Sequence, residues 1–271
     1  YYKHKLPAKD GVLRQRIEAV MLKNPGYGHR RVADAPGISR ERARRVLRKF
    51  HMKPARRAKV PKKPLDEGRP PEPYPDITAK MCPCAPHAIW ASDFTYICYR
   101  GVFLYLATIL DLFTGEVSAA QIMTSHPAEL VLRPLLAALL RMGCIPEWFH
   151  SDQGSEYISE DVRQVLNLLR VKISTAPQKS PWRNGSQESF FGRFKVEFGD
   201  PERFDTLEQL VEALYAHMAY FSNYRIKNRL HMAPADFRKR WLAEHPAHRP
   251  KKLAGSQRRL IIQESAFEMG L

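Results

Sequence analysis

Cysteine is scarce: four in 271 residues, at Cys82, Cys84, Cys98 and Cys144. So few thiols argue against a disulfide framework. The best-placed pair, Cys82-Pro83-Cys84, has one intervening residue where zinc sites have roughly two to four, and no second Cys/His pair completes it. The thiols are expected to be reduced bystanders. Long apolar runs are missing too. Nothing approaches the about 20 apolar residues of a membrane span, so no membrane partner is expected. No secretory signal pattern is read. Because the chain opens on Tyr1, it is expected to be a fragment or the downstream part of a longer product. Acids are the minority charge, 28 against 44 Lys and Arg, for a net +16. That excess favours a polyanionic partner and, without a membrane segment, a nucleic acid.

What is present falls into blocks. Residues 1–50 carry three short helical patterns. The first, from about Gly11 to Lys23, puts Val12, Leu13, Ile17, Val20 and Met21 near one face, and Asn24-Pro25-Gly26 stops it. The second covers about His29 to Ala35 and ends at Pro36-Gly37. Ser39 is placed to cap a third, Arg40 to Phe50. This last helix carries Arg40, Arg42, Arg44, Arg45, Arg48 and Lys49, and leaves Ala43, Val46, Leu47 and Phe50 for packing. Helix, tight turn and basic helix make the helix-turn-helix pattern of DNA readers. The arginines are therefore candidate DNA contacts; the plainer alternative is a basic bundle that touches phosphates without reading bases. Residues 51–86 are a proline-rich linker, from Pro54 to Pro86, that precludes regular structure. Its first half, Lys53 to Lys63, is basic and either lies along a DNA backbone or is a solvated spacer.

A larger unit, residues 87–240, follows. A β-prone run, Trp90 to Ile97, carries Asp93. Arg100-Gly101 turns into a second strand, Val102 to Leu112, and Thr114-Gly115 into a third, Glu116 to Met123, giving an antiparallel meander. Ser125 is expected to cap a helix from His126 to Met142, with Leu132, Leu135, Leu136 and Leu139 inward and Gly143 as its stop. The run Pro146 to Phe149 then leads into His150-Ser151-Asp152-Gln153-Gly154, which puts Asp152 at a strand end. Ser159 caps another helix, with Val162, Val165, Leu166 and Leu169 inward, and Val171 to Ala176 is a fifth strand. Asn184 and Gln187 read as a capping pair for the next helix. Glu188 opens that helix and shares a face with Lys195, seven residues on; Phe190, Phe194 and Phe198 fall on another face and should enter the core. A helical repeat from Thr206 to Asn223 and a helix from Pro234 through Trp241 close the unit. The tail, 241–271, is basic and has no assigned place. The implied fold is α/β and ribonuclease H-like: a mixed five-stranded sheet with flanking helices, behind a small all-α domain.

Asp93, Asp152 and Glu188 are the candidate catalytic residues. Gathered in one cleft, three bare carboxylates would repel one another. Divalent cations resolve that, and hard oxygen donors suit magnesium or manganese. Two such ions about 3.5–4 Å apart clamp the oxygens of an in-line phosphoryl displacement. Among competing acids, Asp111 ends a strand beside a turn, Glu156 reads as a solvated loop acid, and Glu116 and Glu129 read as surface. His150 precedes Asp152 by two and points to its side, either toward the DNA or metal site or packed.

Taken together, these blocks resemble a known family. Thirty-five residues separate Asp152 from Glu188, and the three acids look like the triad of the retroviral-integrase superfamily. More closely, the chain resembles the second-reading-frame catalytic proteins of bacterial insertion-sequence transposases. The resemblance rests on Trp90–Ile97, Leu104–Phe113, His150–Tyr157, the set Asn184, Glu188, Ser189, Phe190, Phe191 and Lys195, and the C-terminal Tyr224-Arg225, Leu230 and Pro234. It implies a transposase that cleaves element ends and joins the 3′-hydroxyl to DNA, with two Mg2+ (or Mn2+) ions held by Asp93, Asp152 and Glu188. It implies DNA contacts by Lys195, Arg183, Asn184, Tyr224 and Arg225, a dimer or larger assembly on double-stranded DNA, a possible upstream-frame fusion, and a place in the bacterial cytoplasm at the nucleoid. Two positions depart from the family: Arg183 stands where an acid is usual and Lys227 where a histidine is usual. Neither is a ligand. The zinc module of retroviral integrases is not found. Other readings are a nuclease or resolvase of the same fold, and a DNA-binding regulator with an inactive core.

Overall fold

The structure, a computed structural model, describes residues 6–35, 37–55, 74–78, 81–152, 154, 156, 157, 159–176 and 185–268. Its centre is a five-stranded sheet. Strands β1 (Ile89–Tyr99), β2 (Val102–Asp111) and β3 (Val117–Met123) form the expected antiparallel meander, and β5 (Trp148–Ser151) and β6 (Lys172–Thr175) add parallel to β1, in the order β3-β2-β1-β5-β6. A two-residue β4 (Cys144–Ile145) lies outside this sheet.

Alternation along the strands sends side chains to two cores. Trp90 and Ile109 join α4 (Glu129–Met142) and α5 (Glu160–Leu168) on one face. Ile97, Leu104, Leu106 and Leu110 join α6 (Gly185–Phe198) and α7 (Leu207–Asn223) on the other, where Phe190, Phe194 and Phe198 are buried as expected. Gly143 ends α4 in the left-handed region at φ 62°, where glycine pays no Cβ penalty. The start of α4 differs from expectation: the helix begins at Glu129 after Ala128, and Ser125 does not cap it.

In the N-terminal region, α1 (Leu6–Lys23), α2 (His29–Asp34) and α3 (Arg40–Lys49) pack on Leu13, Ile17, Tyr27, Val32, Ala43, Val46 and Leu47. Val12, expected on the inner face, is exposed. The Ser39 hydroxyl accepts from Arg42 N–H, the expected cap. This cluster touches the region after α7: Ile226 N–H donates to Tyr27 Oη at 2.6 Å and Arg31 Nε to Asn228 Oδ1 at 3.0 Å. Part of the linker is not a free spacer. Ile77 is buried, its N–H donates to Ser174 Oγ at 3.1 Å, and Thr175 Oγ1 donates to Tyr74 O at 3.1 Å, which covers the edge of β6. The tail also finds a place. After α8 (Pro234–Glu244), β7 (Lys251–Lys252) pairs antiparallel with β4, and α9 (Gly255–Glu268) buries Ile261 beside α4.

Glu116 and Arg225, expected at the surface and on DNA, are internal. Glu116, read as surface, is fully buried and held by Arg238 Nε at 2.6 Å. Arg225, read as a DNA contact, is 1% exposed and grips Glu197 with Nε at 2.7 Å and Nη2 at 2.6 Å. A guanidinium committed to a buried carboxylate cannot reach a nucleic acid. Removing it would strand Glu197, with Arg31 left 3.8 Å away. Arg225→Ala should therefore cost about 3 kcal/mol in urea unfolding, whereas Tyr224→Ala, at a 74% exposed side chain, should stay within about 0.5 kcal/mol.

Candidate active site

The candidate acids come from three elements. β1 and β5 run parallel, with Ala91 opposite His150; carried on by two residues, that register brings Asp93 level with Asp152 just past the end of β5. Alternation turns both toward the face covered by α6. On β2, Thr108 lies opposite Asp93 and shares that face.

Glu188 follows Gln187, whose buried amide ties the first turn of α6 to the sheet. Gln187 Nε2 donates to Ala91 O at 2.7 Å and Thr108 O at 3.4 Å, and its Oε1 accepts from Thr108 Oγ1 at 3.2 Å. The side chain expected to cap the helix is thus a clamp onto β1 and β2, and it sets where Glu188 stands.

Charge sits uncomfortably here. Asp93 is pushed up to about 7, first by burial, then by Asp152 and, least, by Glu188; the Phe94 N–H, 2.8 Å away, opposes this. Asp152 is raised by burial and by Glu156, against an N–H bond from Gly154 at 3.0 Å. Among the described residues, no basic side chain offsets either shift. Glu188 is exposed, and among the described residues no three acidic, histidine or cysteine side chains already stand as a group ready for a metal ion. The donor set nevertheless suits a hard cation: carboxylate oxygens, of which those of Asp152 and Glu188 raise the proton affinity of Asp93.

Glu156, read as a solvated acid, is buried and accepts from His126 Nδ1 at 2.6 Å, or donates, according to tautomer. A Cβ at Gly154 would lie 2.7 Å from Glu156 Oε2 and 3.2 Å from Asp152 Oδ1, so glycine there lets the two carboxylates approach. Tyr157 is buried close by; burial, Asp93 and Asp152 hold its phenol well above the ordinary range. Asp111, a competing acid, is fully buried and accepts from His87 N–H at 2.6 Å and from the Thr114 N–H and hydroxyl at 2.7 and 2.8 Å. His150 is packed, its Nδ1 2.9 Å from Ser174 Oγ.

The candidate DNA contacts divide. Arg42, Arg44 and Arg48 are exposed on α3. Arg40 reaches the His231 ring at 3.4 Å and Arg45 pairs with Asp10 at 2.9 Å. Tyr224 is exposed. The Lys195 ammonium lies 4.9 Å from the ring centre of Tyr96, three residues beyond Asp93 on β1. Arg183 and Asn184 lie outside the described residues.

Two family models described as "integrase core domain" match residues 83–181 and 188–242. An "uncharacterized transposase-like protein" of Haemophilus influenzae is 32% identical over 165 residues, covering 60% of this chain and 74% of that protein. The chain belongs to the insertion-sequence transposases of the retroviral-integrase superfamily. Two further transposase relatives are those of insertion sequence element IS629 from Shigella sonnei, 28% identical over 159 residues, and IS904 from Lactococcus lactis, 27% identical over 158 residues. These matches cover 58% and 57% of this chain and 54% and 62% of the transposases. The fold is shared with an integrase chain in the solved "simian T-cell lymphotropic virus intasome in complex with PP2A regulatory subunit B56 gamma", at TM-score 0.52 and 19% identity, over 84% of this chain and 74% of that one. The transposase assignment accounts for the mixed sheet.

Two outcomes follow for the metal-free chain. A carboxyl whose folded-state pKa is raised binds its proton more tightly folded than unfolded. Stability is then greatest below the unfolded value, near 4, and declines as pH rises through about 7. Urea midpoints should fall between pH 5 and 7.5, and Asp93→Asn should flatten that fall. Gln187→Leu, which strands the polar groups it clamps, should cost about 1–3 kcal/mol in the same measurement.

Proposed function

We propose that this transposase is a divalent-metal-dependent DNA strand transferase, which nicks element ends and joins the freed 3′-hydroxyl to a target strand. The observation that carries the reading is the raised carboxyl of Asp93, pushed up first by burial, then by Asp152 and also by Glu188, acids that come from distant segments of the chain. Asp93, Asp152 and Glu188 are the residues to hold magnesium, with manganese as substitute, most simply as two ions. Such ions would supply Lewis-acid activation of the attacking oxygen and compensation of charge on the leaving one.

The chain's own groups do the rest. The register of β1 on β5 and the Gln187 clamp hold the carboxylates in place before any substrate arrives. Burial lowers the local dielectric and strengthens the electrostatics felt by a phosphodiester. Lys195, on the Glu188 face of α6, is placed to meet phosphate charge. Exposed Arg42, Arg44 and Arg48 on α3 give the helix-turn-helix a basic face for double-stranded DNA. Joining two ends to one target calls for at least two copies on DNA, so a dimer or larger assembly is part of the reading. The chain spans 54% and 62% of two transposase relatives.

The test is a strand-transfer assay on duplexes bearing the element's terminal sequence, with and without Mg2+. The unaltered chain should cleave and join only with the metal. Asp93→Asn, Asp152→Asn and Glu188→Gln should each abolish both steps and keep DNA binding. Cleavage without joining would mark a nuclease instead, and binding with no Mg2+-dependent chemistry a regulator.

A further inference from the structure

Beside the first turns of α6 lies a second concave feature, separate from the carboxylates. It is a cavity of about 360 Å³ between the end of β2, the start of α6 and the stretch after α7, and its lining includes Asp111, Ser186, Arg193, Lys227 and Arg229. Three of these are cations. Lys227 reaches inward because position 115 is glycine at φ +71°; a Cβ there would overlap the lysine ammonium. Nζ of Lys227 donates to Thr114 O at 3.1 Å, and the Arg229 guanidinium donates to Phe113 O. Both acceptors are neutral carbonyls, so neither charge is cancelled.

The lone acid among the described lining residues is Asp111, and its oxygens already accept from His87 and Thr114. The imbalance leaves a mark on Lys227. Its ammonium is held down to about 8, first by burial, then by Arg229 and Arg193, with Asp111 opposing and Arg225 adding to the effect. Arg193 is lowered as well, first by burial and then by Arg225, with Glu197 opposing. The acids nearest these cations, Asp111 and Glu197, are already engaged by other partners, which leaves a half-buried Lys227 and two arginines converging with only partial compensation, and such groups are costly. They are retained where an anion completes the set. The N-terminal end of α6, a helix of 14 residues, adds partial positive charge on the same side, and Ser186 and Ser189 bring hydroxyl donors.

We propose that this cavity is a phosphate-binding subsite, in which Lys227, Arg193 and Arg229 together hold one phosphate group. The source of that phosphate rests on the strand-transfer reading: in a strand transferase it is a backbone phosphodiester of a DNA strand passing beside the glutamate helix. The subsite itself does not rest on that reading, since free phosphate presents the same chemistry. Lys227 adds its charge to the two arginines at pH below about 8.

The experiment follows acylation of Lys227 by an amine-reactive reagent in the full chain, without Mg2+, read by peptide mass spectrometry. Three arms are compared: phosphate-free buffer, inorganic phosphate, and a short duplex in phosphate-free buffer. Lys172, paired with Glu147 at 3.2 Å, is the internal reference. Phosphate should slow Lys227 several-fold and leave Lys172 unchanged. Duplex binding is titrated against salt in parallel for the unaltered chain, Lys227→Gln and Arg229→Gln. Arg229 is exposed, so its variant stays informative if Lys227→Gln does not fold.

If the duplex protects Lys227 and either variant lowers the salt slope by about 0.9, the loss of one phosphate contact, the subsite takes a backbone phosphate. If inorganic phosphate protects while duplex neither protects nor shows a changed slope, the subsite stands and its ligand is the free ion. If neither slows Lys227 relative to Lys172, the proposal is overturned. Failure of the strand-transfer reading looks different: end joining is absent while protection of Lys227 persists.

Discussion

Two aspartates share one face of the sheet, level with each other, in a place where burial penalises both charges. Asp93 and Asp152 arrive there because β1 and β5 run parallel with a register that side-chain alternation converts into a common direction. Among the described residues, neither has a basic neighbour that offsets its charge. Such a pair persists only where the surroundings hold it, and several features do so. Gln187 anchors the glutamate helix to the carbonyls of Ala91 and Thr108. Gly154 keeps the loop after β5 thin enough for Glu156 to close in. Phe190, Phe194 and Phe198 fasten the rest of α6 into the lower core.

Elsewhere the fold treats buried charge in the opposite way. Glu116 is matched by Arg238, Glu197 by Arg225, and Asp10 by Arg45 and Lys49. Asp111, with no full ion pair, is saturated with hydrogen bonds. Against that pattern the raised aspartates on one side of α6 and the only partly compensated cations on the other stand out among the described residues. One set calls for metal, the other for phosphate, and a strand transferase handles both together. The helix-turn-helix region leans on the stretch that follows α7, through Tyr27, Arg31 and Arg40. That same stretch carries Lys227 and Arg229.

Much of this was legible along the chain. The meander, the apolar stripes of α4 and α5, the phenylalanine face of α6 and the Ser39 cap all follow from local periodicity and local hydrogen bonding. The misreadings share a cause. Glu116 and Glu156 read as surface or solvated acids and Arg225 as a DNA contact, because charged side chains are usually exposed. Glu116, however, is paired with Arg238, over a hundred residues further on, and Glu156 with His126 from the connection before α4. Gln187 offered a faint signal, a neutral amide at a position whose neighbours three and seven residues on, Phe190 and Phe194, are core.

The amino-acid order alone determined which segments become strands and helices and which acids belong to a family-like set, because periodicity, caps and turns act over a few neighbouring residues. Only the folded chain decided which charges are sealed inside, which acids raise Asp93 and Asp152, and where the tail and the end of the linker come to rest. Those outcomes depend on partners distant in sequence, and electrostatic energy in a partly buried place depends on separation in space.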